Sequence, residues 1–331
     1  MTRQHQRGAA LLMAMVIVTL VSTIAASMVW QQYRAVQVEG AERARSQAGW
    51  VLNIGLDLAR HFLADDARRQ PAWDDLTEAW ATPLPETRLT AFLSADQNNN
   101  AADDNSDNTF IGGAVTDAQS KYNVRNLVLD DGSVVQEQVQ VFARLCESIG
   151  VSSGLANLIA QKLGQAVTGA LAVSDTAAMA RVGGSSGLAQ APLMPQQFDD
   201  LLWLGLDAGT LERLRPYVTL LPRGNIPINV NTAGKEVLAA VIPKMDLGTA
   251  ARAVQARQRK PFRTITDLEP VIGKGFDLNA ATLSPGSSFF EITGRLRYED
   301  FVIQQRHLVE REGNQIKVRS QSRFSAVDAA N

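Results

Sequence analysis

A chain of 331 residues, 45% hydrophobic and 20% charged, is long enough for two compact units besides a terminal segment and too apolar to remain disordered. Its 32 basic and 34 acidic residues leave a formal charge of −2, so the bulk charge asks for neither nucleic acid nor an anionic membrane surface, and a nucleic-acid role would need a local patch. The single cysteine, Cys146, excludes an intrachain disulfide, and the scattered His5, His61 and His307 form no HExxH pairing on which metalloprotease chemistry could be built.

The first predicted element is apolar. Ala9 to Trp30 is 22 residues without a charge, about 33 Å of helix against a hydrocarbon core of roughly 30 Å. Arg3 and Arg7 precede it with no acid among the first eight residues, which keeps the N-terminus cytoplasmic and sends the remainder across. Three readings stand: a plain single-pass anchor, an export signal cut at Ala25-Ala26-Ser27, or a short basic leader ending at Gly8. The apolar run is longer than an ordinary signal needs. The junction Arg7-Gly8-Ala9 before an uninterrupted apolar helix resembles the leader of type IV pilins and type II secretion pseudopilins. That resemblance implies a prepilin peptidase cut between Gly8 and Ala9, N-methylation of Ala9, and retention of the helix. Most members of the family carry Glu at the fifth mature position, where it offsets the terminal ammonium of a neighbouring subunit; here that position is Met13. An apolar residue suits a subunit with no neighbour above it, because an unmet charge inside an apolar layer costs a few kcal/mol. The resemblance therefore points to the minor pseudopilin called component K.

Helix formers continue from Gln31 to Phe62, before Pro71, Pro83 and Pro85 break the chain around Trp73 and Trp80. Between Leu93 and Gly113 the chain is polar and acidic, which reads either as a solvated loop or as a calcium loop. Asp96, Asn98, Asn100, Asp104 and Asp107 occupy positions one, three, five, nine and twelve of the calcium template, although Ala101 replaces its turn glycine and Asp107 its bidentate Glu. Residues 115–128 read as a strand and turn, with Asp117 to Gln119 and Asn123 to Leu127 resembling a family stretch and taken as structural. The period then turns helical from Val134 to Val173 and buries Cys146. A Gly/Ser/Pro connector covers 180–195, and "AVSDTAAMARVGG" before it lacks the Trp-containing acidic segment carried by relatives of component K. Helices resume over 198–222.

Residues 228–273, "INVNTAGKEVLAAVIPKMDLGTAARAVQARQRKPFRTITDLEPVIG", predict a helix capped by Asn231 or Thr232, a second over Leu247 to Arg259, and a third opened by a Thr266/Glu269 capping box. These resemble tandem helix-hairpin-helix units, which bind DNA through hairpin N–H groups and nearby cations. Arg252, Arg257, Arg259, Lys260 and Arg263 favour that rival. Against it, Pro243 in the first hairpin donates no N–H and Asp246 sets a negative charge where phosphate would sit. Component K proteins also carry an Asn-Val-Asn-Thr-Ala signature, here Asn229 to Ala233, in an all-helical insert, so the resemblance to that family accounts for the motif without DNA. From Ser287 to Arg311 two strands alternate around a turn near Tyr298 to Asp300.

The fold expected is α+β and pilin-like: a long N-terminal helix packed on a small antiparallel sheet, with a large all-helical insertion containing helix-hairpin-helix-like units. The segments are a leader at 1–8, the transmembrane part of the helix at 9–30 and its periplasmic part at 31–62. The head begins at 63–129, the helical insertion fills 130–286, the head's last strands lie at 287–317 and a flexible tail at 318–331. By resemblance the chain is a non-enzymatic tip subunit of the type II secretion pseudopilus in the inner membrane, with its body periplasmic. Its implied partners are the other minor pseudopilins, the prepilin peptidase and the membrane, with calcium as the one candidate ligand. The competing reading is a membrane-anchored periplasmic DNA-binding protein. Neither a nucleophile–base pair nor a phosphate loop suggests catalysis.

Overall fold

The computed structural model describes residues 6–69, 73–94, 108–173, 189–298 and 301–327. By backbone contacts the chain divides into two units, residues 1–54 and 55–331. The helix α1, Gln6–Arg69, contributes to both and extends past the expected end at Phe62, because no proline interrupts it before Pro71.

In the first unit the stretch Ala10–Gly40 is long and apolar enough to cross a membrane, and fits a single-pass anchor. Three of its hydroxyls are met within the helix: Thr19, Thr23 and Ser27 donate to the carbonyls of Val16, Leu20 and Ile24 at 2.9, 2.8 and 2.8 Å. Such back-bonding lowers the cost of carrying these hydroxyls in an apolar surrounding. Trp30 lies under the guanidinium of Arg34, 5.3 Å from the ring centre, and Gln37 donates to the Tyr33 hydroxyl at 3.1 Å. Aromatic and cationic side chains at the end of the apolar run are the usual anchors at a membrane–water boundary.

The second unit is built on a five-stranded antiparallel sheet of order β1-β2-β7-β8-β9. Its strands are β1 (Leu84–Arg88), β2 (Thr109–Asp117), β7 (Phe289–Tyr298), β8 (Phe301–Glu312) and β9 (Gln315–Val327). The late strands pair with an earlier one, Thr109 opposite Tyr298 and Asp117 opposite Phe290, but of the stretch 115–128 expected to supply it only 115–117 belong to that strand, because the chain turns away into short 3-10 turns from Ala118. Consecutive residues Phe289 and Phe290 point to opposite faces, as the two-residue period of a strand requires. Phe290, Ile292, Val309 and Ile316 meet Leu63 of α1 and Trp80, with Leu56, Ala59 and Ala64 alongside. Phe289 meets Ala118, Leu221 and Ile226, with Leu308 packed beside them. The last turns of α1 thus cover one face of the sheet and the segments leading to the helical body cover the other. In β2, Gly113 is obligatory: a Cβ there would stand 2.7 Å from the Thr293 carbonyl oxygen of β7.

The expected flexible tail is corrected by β9, which pairs with β8 from Gln315 to Val327. A two-residue Gly313-Asn314 turn, with Gly313 at φ 58°, closes that hairpin. The sheet therefore ends in three consecutive strands, not two.

Between β2 and β7 the chain makes the helical body. Its helices are α3 (Gln136–Ser148), α4 (Gly154–Ala172), α5 (Ala208–Leu214), α6 (Lys235–Val241), α7 (Leu247–Arg259) and α8 (Glu269–Ile272); a short α2 (Leu89–Ser94) precedes β2. One apolar core runs through it, from Tyr122 stacked on Phe142 at 5.3 Å to Phe262, Leu268 and Ile272. The expectation of a wholly helical insertion needs amending. Two parallel ladders tie the body's ends together, β3 (Tyr122–Asn123) with β4 (Val218–Thr219) and β5 (Ile228–Asn229) with β6 (Leu283–Ser284). Cys146 is buried in this core, and burial pushes its thiol up to about 12, so it packs as an inert apolar group.

Candidate functional site

Gly8, Ala9 and Met13 all lie within α1. Met13 is 68% exposed, so an apolar side chain stands bare at the fifth position after Gly8. Asp96, Asn98, Asn100, Asp104 and Asp107 lie outside the described residues.

The residues expected to cap the helix of the Asn-x-Asn-Thr-Ala stretch do something else. The helix α6 starts at Lys235 with Gly234 as its N-cap, while Glu236 occupies the first turn as expected. Asn231 is turned inward: its Nδ2 donates to the carbonyls of Phe262 and Pro285 at 2.8 and 3.1 Å, and its Oδ1 accepts from Phe262 N at 2.8 Å. Thr232 donates to Asp117 Oδ2 at 2.6 Å. Long-range partners have taken the polar groups that a local reading assigns to the helix end.

Asp117, the last residue of β2, is the centre of this joint. Its Oδ2 accepts from Asn229 Nδ2 at 2.9 Å and from the hydroxyls of Thr232 and Ser287 at 2.6 Å each, and its Oδ1 accepts from Gln119 N at 2.7 Å. Burial raises this carboxyl to about 6, while the donors, Ser287 first, pull it back down. At neutral pH it is ionised, and the acceptor-only form matches a ring of donors. The neighbouring signature residues continue the seam. Gln119 Oε1 accepts from Ser288 N and Phe289 N at 2.6 and 3.2 Å, and its Nε2 donates to Pro227 O at 2.9 Å. Asn123 and Asn126 bind the backbone of residues 221–226 from Leu221 N to Ile226 O. The structural role expected for Asp117–Gln119 and Asn123–Leu127 is thus explained: they sew the helical body together and to the adjoining ends of β2 and β7.

A second polar group adjoins the first. Asp74, 1% exposed, accepts from Ser287 N at 2.7 Å through Oδ2, and its carbonyl accepts from Asn229 Nδ2 at 3.1 Å. Arg311 of β8 donates to Asp74 and to Asp66 of α1, at 2.5 and 3.1 Å. Desolvation and the charge of Asp74 raise Asp66 to about 6 in spite of Arg311. No motif or spacing marks Asp66, Asp74 or Arg311 in the sequence, because their partners are distant in the chain.

The helix-hairpin-helix comparison fares differently in its two hairpins. The second helix has the expected limits, Leu247–Arg259, but its cap is Asp246, which accepts from Thr249 N and Oγ1 at 2.8 and 2.9 Å. The carboxylate that would repel a phosphate is committed to starting α7. Of the basic run, Arg257 points inward and donates to the carbonyls of Val230 and Ala233 at 2.8 and 2.6 Å, and burial lowers it to about 10. Arg252 bonds Thr249 Oγ1 at 2.9 Å, and Arg263 stacks over Trp73 at 4.8 Å. The capping box that opens the next helical turn is Thr264 with Asp267, in place of the expected Thr266 and Glu269. In the second hairpin Gly273 and Gly275 adopt φ of 95° and 104°, which favour glycine. The DNA-binding alternative is not favoured.

An N-terminal apolar helix and an antiparallel sheet that carries a helical body between its second strand and the strand paired to it define a pilin-like α+β protein. Two family models described as type II secretion system (T2SS), protein K match residues 120–223 and 228–284. Type II secretion system protein K from Pseudomonas aeruginosa is 25% identical over 90% of this chain and 86% of its own. The proteins of that name from Klebsiella pneumoniae and Pectobacterium carotovorum are each 26% identical, over 93% and 96% of this chain and 94% and 96% of theirs. A chain in the crystal structure of the GspK-GspI-GspJ complex from enterotoxigenic Escherichia coli shares the fold at a TM-score of 0.60, with 16% identity, over 86% of this chain and 99% of that one. The chain belongs to the type II secretion system protein K family and is a pseudopilus component.

Proposed function

We propose that the protein is the tip subunit of the type II secretion pseudopilus, made with a leader cut between Gly8 and Ala9, methylated at Ala9, and held in the inner membrane with its body periplasmic. The observation that carries the tip position is Met13, apolar and exposed where a subunit inside the filament would need a carboxylate to meet the ammonium above it. Its work is mechanical: it starts the filament and helps drive folded exoproteins through the outer membrane. Because the structural relative comes from a complex of GspK with GspI and GspJ, the partners proposed here are two further minor pseudopilins. The test is Met13→Glu in cells, with site-specific crosslinking at the filament end and exoprotein release as readouts. The proposal expects loss of tip placement and of secretion; unchanged crosslinks and unchanged release contradict it.

Calcium belongs to this proposal as the ligand of Asp96, Asn98, Asn100, Asp104 and Asp107, on the strength of their spacing alone. Calorimetric titration of the full chain is expected to give calcium heat that Asp96→Ala with Asp104→Ala removes. An unaltered isotherm excludes the loop.

A further inference from the structure

Where α1 ends, more negative than positive charge is folded away from water. Asp66 on α1, with Asp74 and Glu78 in the segment that follows it, bring one carboxylate oxygen each to within 4.8 Å of one another. Among the described residues, the cation bonded to this group is Arg311, which serves Asp66 at 3.1 Å and Asp74 at 2.6 and 2.5 Å, with the Ser287 carbonyl accepting from it at 2.7 Å. Its guanidinium also stacks 5.0 Å over Phe290 of β7, so it cannot turn toward Glu78 without leaving that ring. Glu78 receives a neutral donor, Trp80 Nε1, at 2.5 Å on Oε2. Its Oε1 is shielded from solvent and lacks a hydrogen-bond partner among the described residues.

The charges around Glu78 are the same sign as its own: Asp66 from α1, and Asp74 and Asp75 from its own segment. Asp75 is occupied by Thr77, whose N and Oγ1 donate to its Oδ1 at 2.7 and 2.6 Å. From the sheet, β8 offers Arg311, already shared, and β7 offers Phe290, whose ring meets Trp80 edge-on at 5.1 Å. Asp65 is paired with Arg69 at 2.7 Å. Three carboxylates against one guanidinium, with a buried oxygen left bare, is a costly arrangement when all three are ionised. A proton on Glu78 removes one charge and turns the bare acceptor into a donor.

We propose that Glu78 is a proton-operated latch: protonated, it closes the joint between the last turns of α1 and the sheet, and its ionisation above neutral pH loosens that joint. Burial foremost, then the neighbouring carboxylates, raise Glu78 from 4.5 to about 8. A carboxyl whose folded value lies above its unfolded one favours the folded state at low pH, and that contribution is lost as pH rises through the window between the two. The hold of the sheet on α1 would therefore follow the acidity outside the cytoplasm.

The test is thermal unfolding of the full chain in detergent micelles between pH 6 and pH 9. The wild-type melting temperature is expected to fall by about 5 °C across that range. Glu78→Gln should abolish most of the fall and melt above wild type at pH 9. A variant that keeps the wild-type slope overturns the proposal, as does a calcium-induced rise at pH 9 that Glu78→Gln removes, because a bound cation would then balance the charge. Should Glu78→Gln fail to fold, a carboxyl ¹³C titration of the wild type decides: a Glu78 midpoint above neutrality supports the latch, and one near the ordinary 4.5 overturns it.

Discussion

Asp117, buried, and Glu78, half-buried with one oxygen shielded, are carboxylates of the same compact unit, and the fold treats them in opposite ways. Asp117 is ringed by two hydroxyls, an amide side chain and a backbone N–H, all neutral donors aimed at an acceptor. Glu78 has one indole donor and faces further carboxylates. A charge surrounded by fixed donors is a fastener, since removing it strands every donor at once. One set among like charges is a variable, because a proton is its cheapest remedy. Arg311 stands between the two groups: through Asp74 and Ser287 it links the acids at the end of α1 to the seam that holds the helical body.

The contrast can be broken most severely at Arg311. Arg311→Met leaves the buried Asp74 and the half-buried Asp66 without their cation and is expected to cost about 4 kcal/mol in chemical unfolding of the full chain in micelles. A loss no larger than that of an ordinary surface substitution would show that the two acids are balanced by something else. Next is Asp117→Ala, which strands the donors of Asn229, Thr232 and Ser287 and should cost roughly 3 kcal/mol by the same measurement. Asp117→Asn should recover part of that loss, because its one carbonyl oxygen still accepts. If Asp117→Asn is as damaging as Ala, the charge and not the geometry holds the seam. The smallest effect is expected at Asp246→Ala, a lost helix cap on the surface. Hydrogen bonds from Thr249 hold the Asp246 carboxyl below its usual 3.8. The stability it contributes is therefore present at neutral pH and lost as the solution is acidified through that lowered value, so variant and wild type should converge in acid. A difference that persists there would remove capping as the cause.

Local patterns carried much of this structure and distant partnerships did not. The period of apolar residues gave α7 its limits, Leu247 to Arg259, and the alternation in "SFFEITGRLRY" announced β7. Asn231 and Thr232 were legible as polar residues before a helix, yet the sequence could not tell a cap from a seam, because the same side chains serve both and the choice depends on Asp117, 115 residues from Thr232. Arg311 and Asp66 are 245 residues apart, a pairing that no spacing rule reaches. The strand β9 was hidden for another reason. "QIKVRSQSRFSAV" has few apolar residues because an edge strand needs to bury only part of one face, and its backbone bonds to β8 supply the rest. Gly8 and Met13, on which the proposed processing and tip position rest, come from the linear sequence alone, since a leader and its first mature residues need no tertiary partner to be read.

The proposed tip subunit must enter the pilin machinery through its leader. The direct measurement is the N-terminal mass of the protein recovered from membranes of cells with and without an active prepilin peptidase. The expected result is a mature chain beginning at methylated Ala9 only when the peptidase is present. A chain that begins at Met1 in both strains, or at Met28, contradicts it.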